Sequence, residues 1–389
     1  MSLKIAMVTA MLCLVPAALP ALADLPVPMI YLRQEVTPPS TLSELDPVPE
    51  DQGVQGAMLA LKDSRTTGAF LGQDYSLDLV SVPEGGDFAS AAREALSRSR
   101  LIVADMPAET LLQLADMAPD ALILDVATGD PRLRSADCRA NVLHTALEDG
   151  ARADALMQVL QRKRWTKAAM IVGPRIADRA FAGELARAAR KFGVRIVDEK
   201  DWTFDTDLRR STATEIPLFT QGFPEHDVVL VADEAADFAR YIPDNTWAPR
   251  PVAGAAGMVP AAWSPVLEQW GASQLQQRFA AQAGRPMRPR DYAGWLAVRA
   301  IAESVTRSGS ADPATLRAYM LSDAFALDGF QGRSLSFRPW NGQLRQPVPV
   351  ANDRALIDLA PVEGFLHQVN EMDTLGLDRP ESACTAFGG

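Results

Sequence analysis

The chain has 389 residues and a formal charge of −11, with 38 Lys and Arg against 49 Asp and Glu. That length exceeds what one hydrophobic core usually supports, so two lobes are expected. The acidic balance, with no basic tract, argues against nucleic acid or anionic membrane surfaces as partners.

Residues 1–23 read as a secretory signal. Lys4 supplies the positive start, Ile5 to Leu19 is mostly apolar, and Ala21-Leu-Ala23 has the small-x-small form that a signal peptidase cuts. The apolar run is too short to span a bilayer, and Cys13 follows Leu12 rather than a small residue, which disfavours a lipoprotein anchor. The mature chain would begin near Asp24 and keep two cysteines, Cys138 and Cys384. In an oxidising compartment outside the cytoplasm a Cys138–Cys384 disulfide is expected, two separate thiols being the alternative. His144, His226 and His367 show no ligand spacing with one another or with the cysteines, so no metal site is expected.

From Val27 onward strand and helix patterns alternate. Val27–Leu32 suits a buried first strand, and a Pro- and Ser-rich loop leads to a helix opened by Glu50 and Asp51. Leu77–Val82, Leu101–Ala104 and Ala121–Val126 read as further strands. The helices between them are Phe88–Ser97, capped by Asp87, and Glu109–Ala115. Val142 and Leu143 form a last strand before a helix beginning at Asp149, and this junction is a candidate hinge. The pattern then restarts with strand Ala168–Val172, helix Asp178–Lys191, strands Val194–Val197 and Asp227–Val231, and a helix around Glu234–Arg240. A long helix from Asp291 to Thr306 follows. The tail is β-like, with an Asn341-Gly342 turn between Leu335–Pro339 and Gln346–Val350. The alternation implies an α/β fold of parallel sheets with right-handed crossovers. The expected division is residues 24–145 plus about 250–328 in lobe 1, and 146–249 plus about 329–389 in lobe 2.

No Gly-x-Ser-x-Gly elbow, phosphate-binding glycine loop or His-Glu-x-x-His motif is present, so the chain does not read as an enzyme. Ligands of open α/β sheets bind outside the carboxyl ends of the strands. The loops there supply the candidate ligand-binding residues Arg33, Thr128, Thr145, Arg175, Trp202 and Asp233, with Trp247 and Trp263 on the segment returning to lobe 1. Guanidinium forks and indole faces together would suit a flat anionic ligand. Arg209 and Arg210 read as a solvated pair within reach of the cleft.

The order of elements resembles the type I periplasmic binding proteins, the Leu/Ile/Val-receptor-like solute-binding subunits of ABC importers. Glu50-Asp-Gln-Gly-Val-Gln-Gly-Ala57 looks like the first helix of that family. Ser135-Ala-Asp-Cys-Arg-Ala-Asn141, Leu143-His-Thr145, Trp202–Arg210, Ser334–Trp340, Gly342–Pro347, Gly364–His367 and Asp378–Ser382 resemble a subgroup associated with PQQ-dependent alcohol dehydrogenase systems. The resemblance implies a periplasmic Venus-flytrap protein that closes on a small molecule and presents it to a membrane permease, with no cofactor required. Its association implies PQQ, or an alcohol-oxidation metabolite, as ligand. It leaves open an accessory role toward a PQQ-dependent dehydrogenase, or a branched-chain amino acid ligand. Against the latter, Asp105-Met-Pro107 lacks the hydroxyl cluster of the amino acid receptors.

Overall fold

The computed structural model describes residues 24–39, 47–203 and 212–388; the expected signal segment and the Arg209–Arg210 pair lie outside them. Lobe 1 begins with β1 (Leu25–Gln34), α1 (Val54–Leu71), β2 (Gln73–Val82), α2 (Phe88–Arg98), β3 (Leu101–Asp105), α3 (Ala108–Met117), β4 (Leu122–Asp125) and β5 (Val142–His144). The strands form a parallel sheet in the order β2-β1-β3-β4-β5. β3 and β4 are buried at every position, as continuous apolar runs covered on both faces require. Asp87 caps α2 as expected, its carboxylate accepting the Ser90 amide at 3.0 Å.

Lobe 2 repeats the scheme with α4 (Asp149–Arg162), β6 (Lys167–Val172), α5 (Ile176–Lys191), β7 (Arg195–Asp201), α6 (Thr212–Gln221), β8 (Val228–Ala232) and β9 (Val252–Gly254). Its parallel sheet has the order β7-β6-β8-β9. The chain leaves through β10 (Val259–Pro260) and returns to lobe 1 as α7 (Ala272–Ala283), α8 (Pro289–Ser308) and α9 (Pro313–Met320). There follow the short antiparallel strands β11 (Leu327–Asp328), β12 (Ser334–Phe337) and β13 (Leu344–Arg345). Finally β14 (Val348–Ala351) and β15 (Leu356–Ala360) pair antiparallel with each other and, through β14, with β10.

The cores set the lobe boundaries. Leu143, Ala262 and Leu344 belong to the lobe 1 core, whereas Ala151, Met258 and Val348 belong to that of lobe 2. The chain therefore crosses between lobes at about 144–150, 259–261 and 345–347, and its C-terminal tail passes from lobe 2 back to lobe 1 after Leu375. Residues 250–258 thus pack in lobe 2, because β9 extends the lobe 2 sheet, and residues 329–344 pack in lobe 1, where Leu335, Phe337 and Leu344 complete its core. Both differ from the division expected from the sequence. The Asn341-Gly342 turn joins β12 to β13 rather than to the strand at 348–351. The expected helix around Glu234–Arg240 is only a 3-10 turn, Ala239–Tyr241, because the Asp233 carboxylate takes the Phe238 and Ala239 amides.

α1 and α8 cross at closest approach through Gly56, where a Cβ would lie 1.7 Å from the Asp291 carbonyl oxygen. Asp291 is buried and joins both helix starts, accepting the Gly53 amide at 2.7 Å and the Arg288 amide at 3.0 Å. A polar seam binds the crossings. His144 N–H donates to Gly342 O at 2.8 Å, Arg134 Nε to Gln343 Oε1 at 2.8 Å, and Gln346 Nε2 to Thr145 O at 3.2 Å.

The C-terminal tail straps this hinge. The Gly376 amide donates to Asp154 of α4 at 2.9 Å, on lobe 2, while Cys384 is disulfide-bonded to Cys138 and Ser382 Oγ donates to Arg134 O at 2.7 Å, on lobe 1. Beneath the strap the buried Asp373 carboxylate accepts from Arg338 at 2.9 Å and from Arg345 at 2.8 and 2.9 Å. Among the described residues no helix is long and apolar enough to cross a membrane.

Candidate functional site

The strand ends of the two parallel sheets frame a cavity of about 1270 Å³. Lobe 1 lines it with residues at and after the ends of β1, β3 and β4, from Arg33, Asp105 and Val126 onward, and with the start of α8 at Pro289 and Arg290. Lobe 2 supplies Asp149 and Arg152 of α4 and Glu234 after β8, while Ala146, Leu147 and Val259–Ala262 form the crossing segments at its base.

Asp105 anchors the lobe 1 wall. It is buried, accepts the Tyr31 hydroxyl at 2.8 Å, and lies 3.7 Å from Arg33 Nε and 3.4 Å from Arg290 Nη1. Burial, and then the neighbouring Asp105 carboxylate, hold the Tyr31 phenol far above its ordinary range, so it stays a donor. Arg33 also donates to Glu50 O at 2.5 Å. The lobe 2 wall is a second ion cluster. Arg152 pairs with both carboxylate oxygens of Glu234 at 2.8 and 3.1 Å and with Asp149 at 2.8 Å. Burial opposes the Arg152 charge, but Glu234 and Asp149 outweigh it and raise its pKa. Burial raises the Asp149 carboxyl above its usual value. The Arg152 guanidinium also covers the Phe181 ring at 4.2 Å, and Asp178 at the start of α5 accepts the Glu234 amide at 2.7 Å. The cluster is thereby fixed by two helix starts.

Among the described residues the lining carries six carboxylates (Glu35, Glu50, Glu84, Asp105, Asp149, Glu234) against three guanidiniums (Arg33, Arg152, Arg290), a formal balance of −3. Glu84 titrates below its usual value because Thr37 hydrogen-bonds to it through side chain and backbone. No aromatic side chain lines the cavity among the described residues.

Of the candidate residues from the sequence, Arg33 and Thr128 line the cleft. The others do not, for identifiable reasons. Trp263 is 1% exposed, packs 4.8 Å from the Tyr292 ring and donates to Gln276 Oε1 at 3.1 Å, so it is lobe 1 core. Trp202 stacks on Phe238 at 4.4 Å inside lobe 2. Trp247 is 59% exposed and outside the cleft lining, held by its amide to Thr220 Oγ1 at 2.8 Å. Arg175 lies 3.0 Å from Asp237 at the start of α5. Thr145 is buried, its hydroxyl donating to Ala293 O of α8 at 3.0 Å. Asp233 is occupied by the two amides that form its turn, and burial raises its carboxyl above the usual value. Cys138 and Cys384 form a disulfide, and neither lines the cleft. Sequence reasoning missed Arg152 and Arg290, which sit in the first turns of two helices; the position of a helix start at a strand-end cleft was the available signal. No group of three or more His, Cys, Asp or Glu suited to a metal ion occurs among the described residues.

No protein-family model matches the sequence, and no curated protein matches it. Solved structures do. A branched-chain amino acid ABC transporter periplasmic ligand-binding protein from Burkholderia xenovorans LB400 is 15% identical, with TM-score 0.69 over 93% of this chain and 100% of its own. An ABC transporter substrate-binding protein from Sphaerobacter thermophilus is 17% identical, with TM-score 0.68 over 90% and 100%. A solute-binding protein of an R. palustris ABC transporter, solved in complex with benzoate, is 14% identical, with TM-score 0.63 over 92% and 99%. The chain has the α/β fold of these two-lobed type I periplasmic binding proteins.

Proposed function

We propose that this protein is the periplasmic substrate-binding subunit of an ABC importer, closing its lobes on a small molecule and presenting the closed form to a permease. The observation that carries the reading is the cleft of about 1270 Å³, built from the strand ends of two lobes between which the chain passes repeatedly. A cleft of convergent polar groups between two lobes is where a small molecule is held.

PQQ is the ligand that the resemblance implies, whether for transport or for delivery to a dehydrogenase. The cleft favours a different class. A planar tricarboxylate would meet, among the described residues, a lining of net −3 and no ring to stack on. The lining suits a polar molecule of neutral or positive net charge, with an ammonium or amide group facing the surplus carboxylates and a carboxylate or carbonyl meeting Arg33 and Arg290.

The test is mass spectrometry of small molecules released from freshly purified protein, followed by calorimetry and small-angle scattering with the released compound and with PQQ. Saturable binding of a neutral or cationic compound that lowers the radius of gyration supports the reading. Tight PQQ binding would overturn the ligand class. Binding without compaction would overturn the closing mechanism.

A further inference from the structure

A second cavity, of about 580 Å³, opens on lobe 1 between α1, α7, α8 and the loop after β11, and shares no lining residue with the cleft. That volume falls within the roughly 300–1000 Å³ of small-molecule pockets. Its wall contains Trp295, only 2% exposed, whose indole N–H has no hydrogen-bond partner. A buried polar group left unmatched is costly, and it calls for an acceptor. One turn further along α8, Arg299 lines the same cavity. The two sit four residues apart, on one face of the helix.

The charges around them are mostly spent. Arg278 pairs with Asp63 at 2.7 Å, and Glu303 with Arg307 at 2.7 Å. Asp328 caps the Phe330 amide through Oδ1 at 2.8 Å. Arg299 has no carboxylate within 4.0 Å among the described residues, and its one hydrogen bond is to Ser64 Oγ at 3.4 Å. Beside these two donors Leu327 and Phe330 offer apolar surface, the Phe330 ring lying 5.7 Å from that of Trp295.

We infer that this cavity is a second ligand site, which takes a small monocarboxylate with an apolar body. The carboxylate pairs with the Arg299 guanidinium and, through a shift of the side chains that cover the Trp295 indole N–H in this structure, accepts from that N–H as well, while the body packs against Leu327 and Phe330. Such a site would let an organic acid bind lobe 1 whether or not the cleft is filled.

The experiment follows the ¹⁵N–¹H resonance of the Trp295 indole, assigned by its loss in Trp295→Phe, during titration with phenylacetate and with neutral phenylacetamide. The expected result is a saturable shift with phenylacetate, at least tenfold weaker with phenylacetamide and at least tenfold weaker in Arg299→Gln. The inference is overturned if the resonance does not move, if the amide titrates with the same midpoint, or if Arg299→Gln leaves the midpoint unchanged. The readout is local to this cavity, so its outcome is independent of what the cleft binds.

Discussion

Removing the Cys138–Cys384 disulfide offers a quantitative test of the strap. The bridge closes a loop across a sequence separation of 246, for which the chain-entropy relation gives about 5.5 kcal/mol of denatured-state destabilisation at 25 °C. Residual denatured-state structure lowers the realised value, so about 2–5 kcal/mol is expected for Cys138→Ala/Cys384→Ala. Cys138 is buried, and alanine leaves little strain in its place. The tail keeps its other anchors, among them Ser382 Oγ to Arg134 O at 2.7 Å and Gly376 to Asp154 at 2.9 Å, so the native fold should persist. Urea unfolding of oxidised protein and double variant, followed by circular dichroism and by the fluorescence of the seven tryptophans, measures the difference. A loss below about 1 kcal/mol would refute the argument, because it would mean that the unfolded chain gains almost nothing from release of the link.

Gly56→Ala should destabilise lobe 1 by more than about 2 kcal/mol, since its Cβ would collide with the Asp291 backbone, whereas Gly183→Ala on α5, with nothing within 4 Å, should stabilise by up to about 1 kcal/mol; thermal melting compares them. Asp373→Asn leaves the buried Arg345 without its carboxylate and Arg338 with only Glu148, at 3.7 Å, and should cost about 3–5 kcal/mol in chemical unfolding. Burial, reinforced by Arg134, pushes the His144 pKa down to about 4 despite its 2.8 Å contact with Asp125, so the fold favours the neutral ring. The unfolded chain binds that proton more readily, so the contribution of His144 is complete above about pH 6.5 and is lost as pH falls toward 4. Stability measured at steps from pH 7 to pH 4 should therefore decline less steeply in His144→Gln than in the parent protein.

The parallel sheets were legible because their strands carry a signal that tertiary context does not erase. Leu101–Asp105 and Leu122–Asp125 are apolar at nearly every position, and only burial on both faces accommodates that. α9 was overlooked although Asp312-Pro313 marks its start, with Asp312 accepting the Thr315 amide at 2.8 Å. The cleft was much less legible. A tryptophan near a strand end is equally apolar whether it faces a ligand or a core, and Trp263 is committed to the core by Tyr292, which stands 29 residues later in the sequence. The wall at Asp105 likewise needs Arg33 and Arg290, which α8 brings together from opposite ends of lobe 1. Lobe boundaries failed for the same reason, since the side to which a short strand such as β9 belongs depends on its pairing partner.

The interleaving of the two cores also sets an order of events during synthesis. Lobe 1 lacks Phe337 and Leu344 until residues beyond 337 have been made, and lobe 2 lacks Val348, Val350, Ala360 and Val362 until still later. Phe387, two residues from the end, packs against the lobe 1 core. Lobe 1 thus waits on residues 337–344, and lobe 2 on residues as late as Leu375.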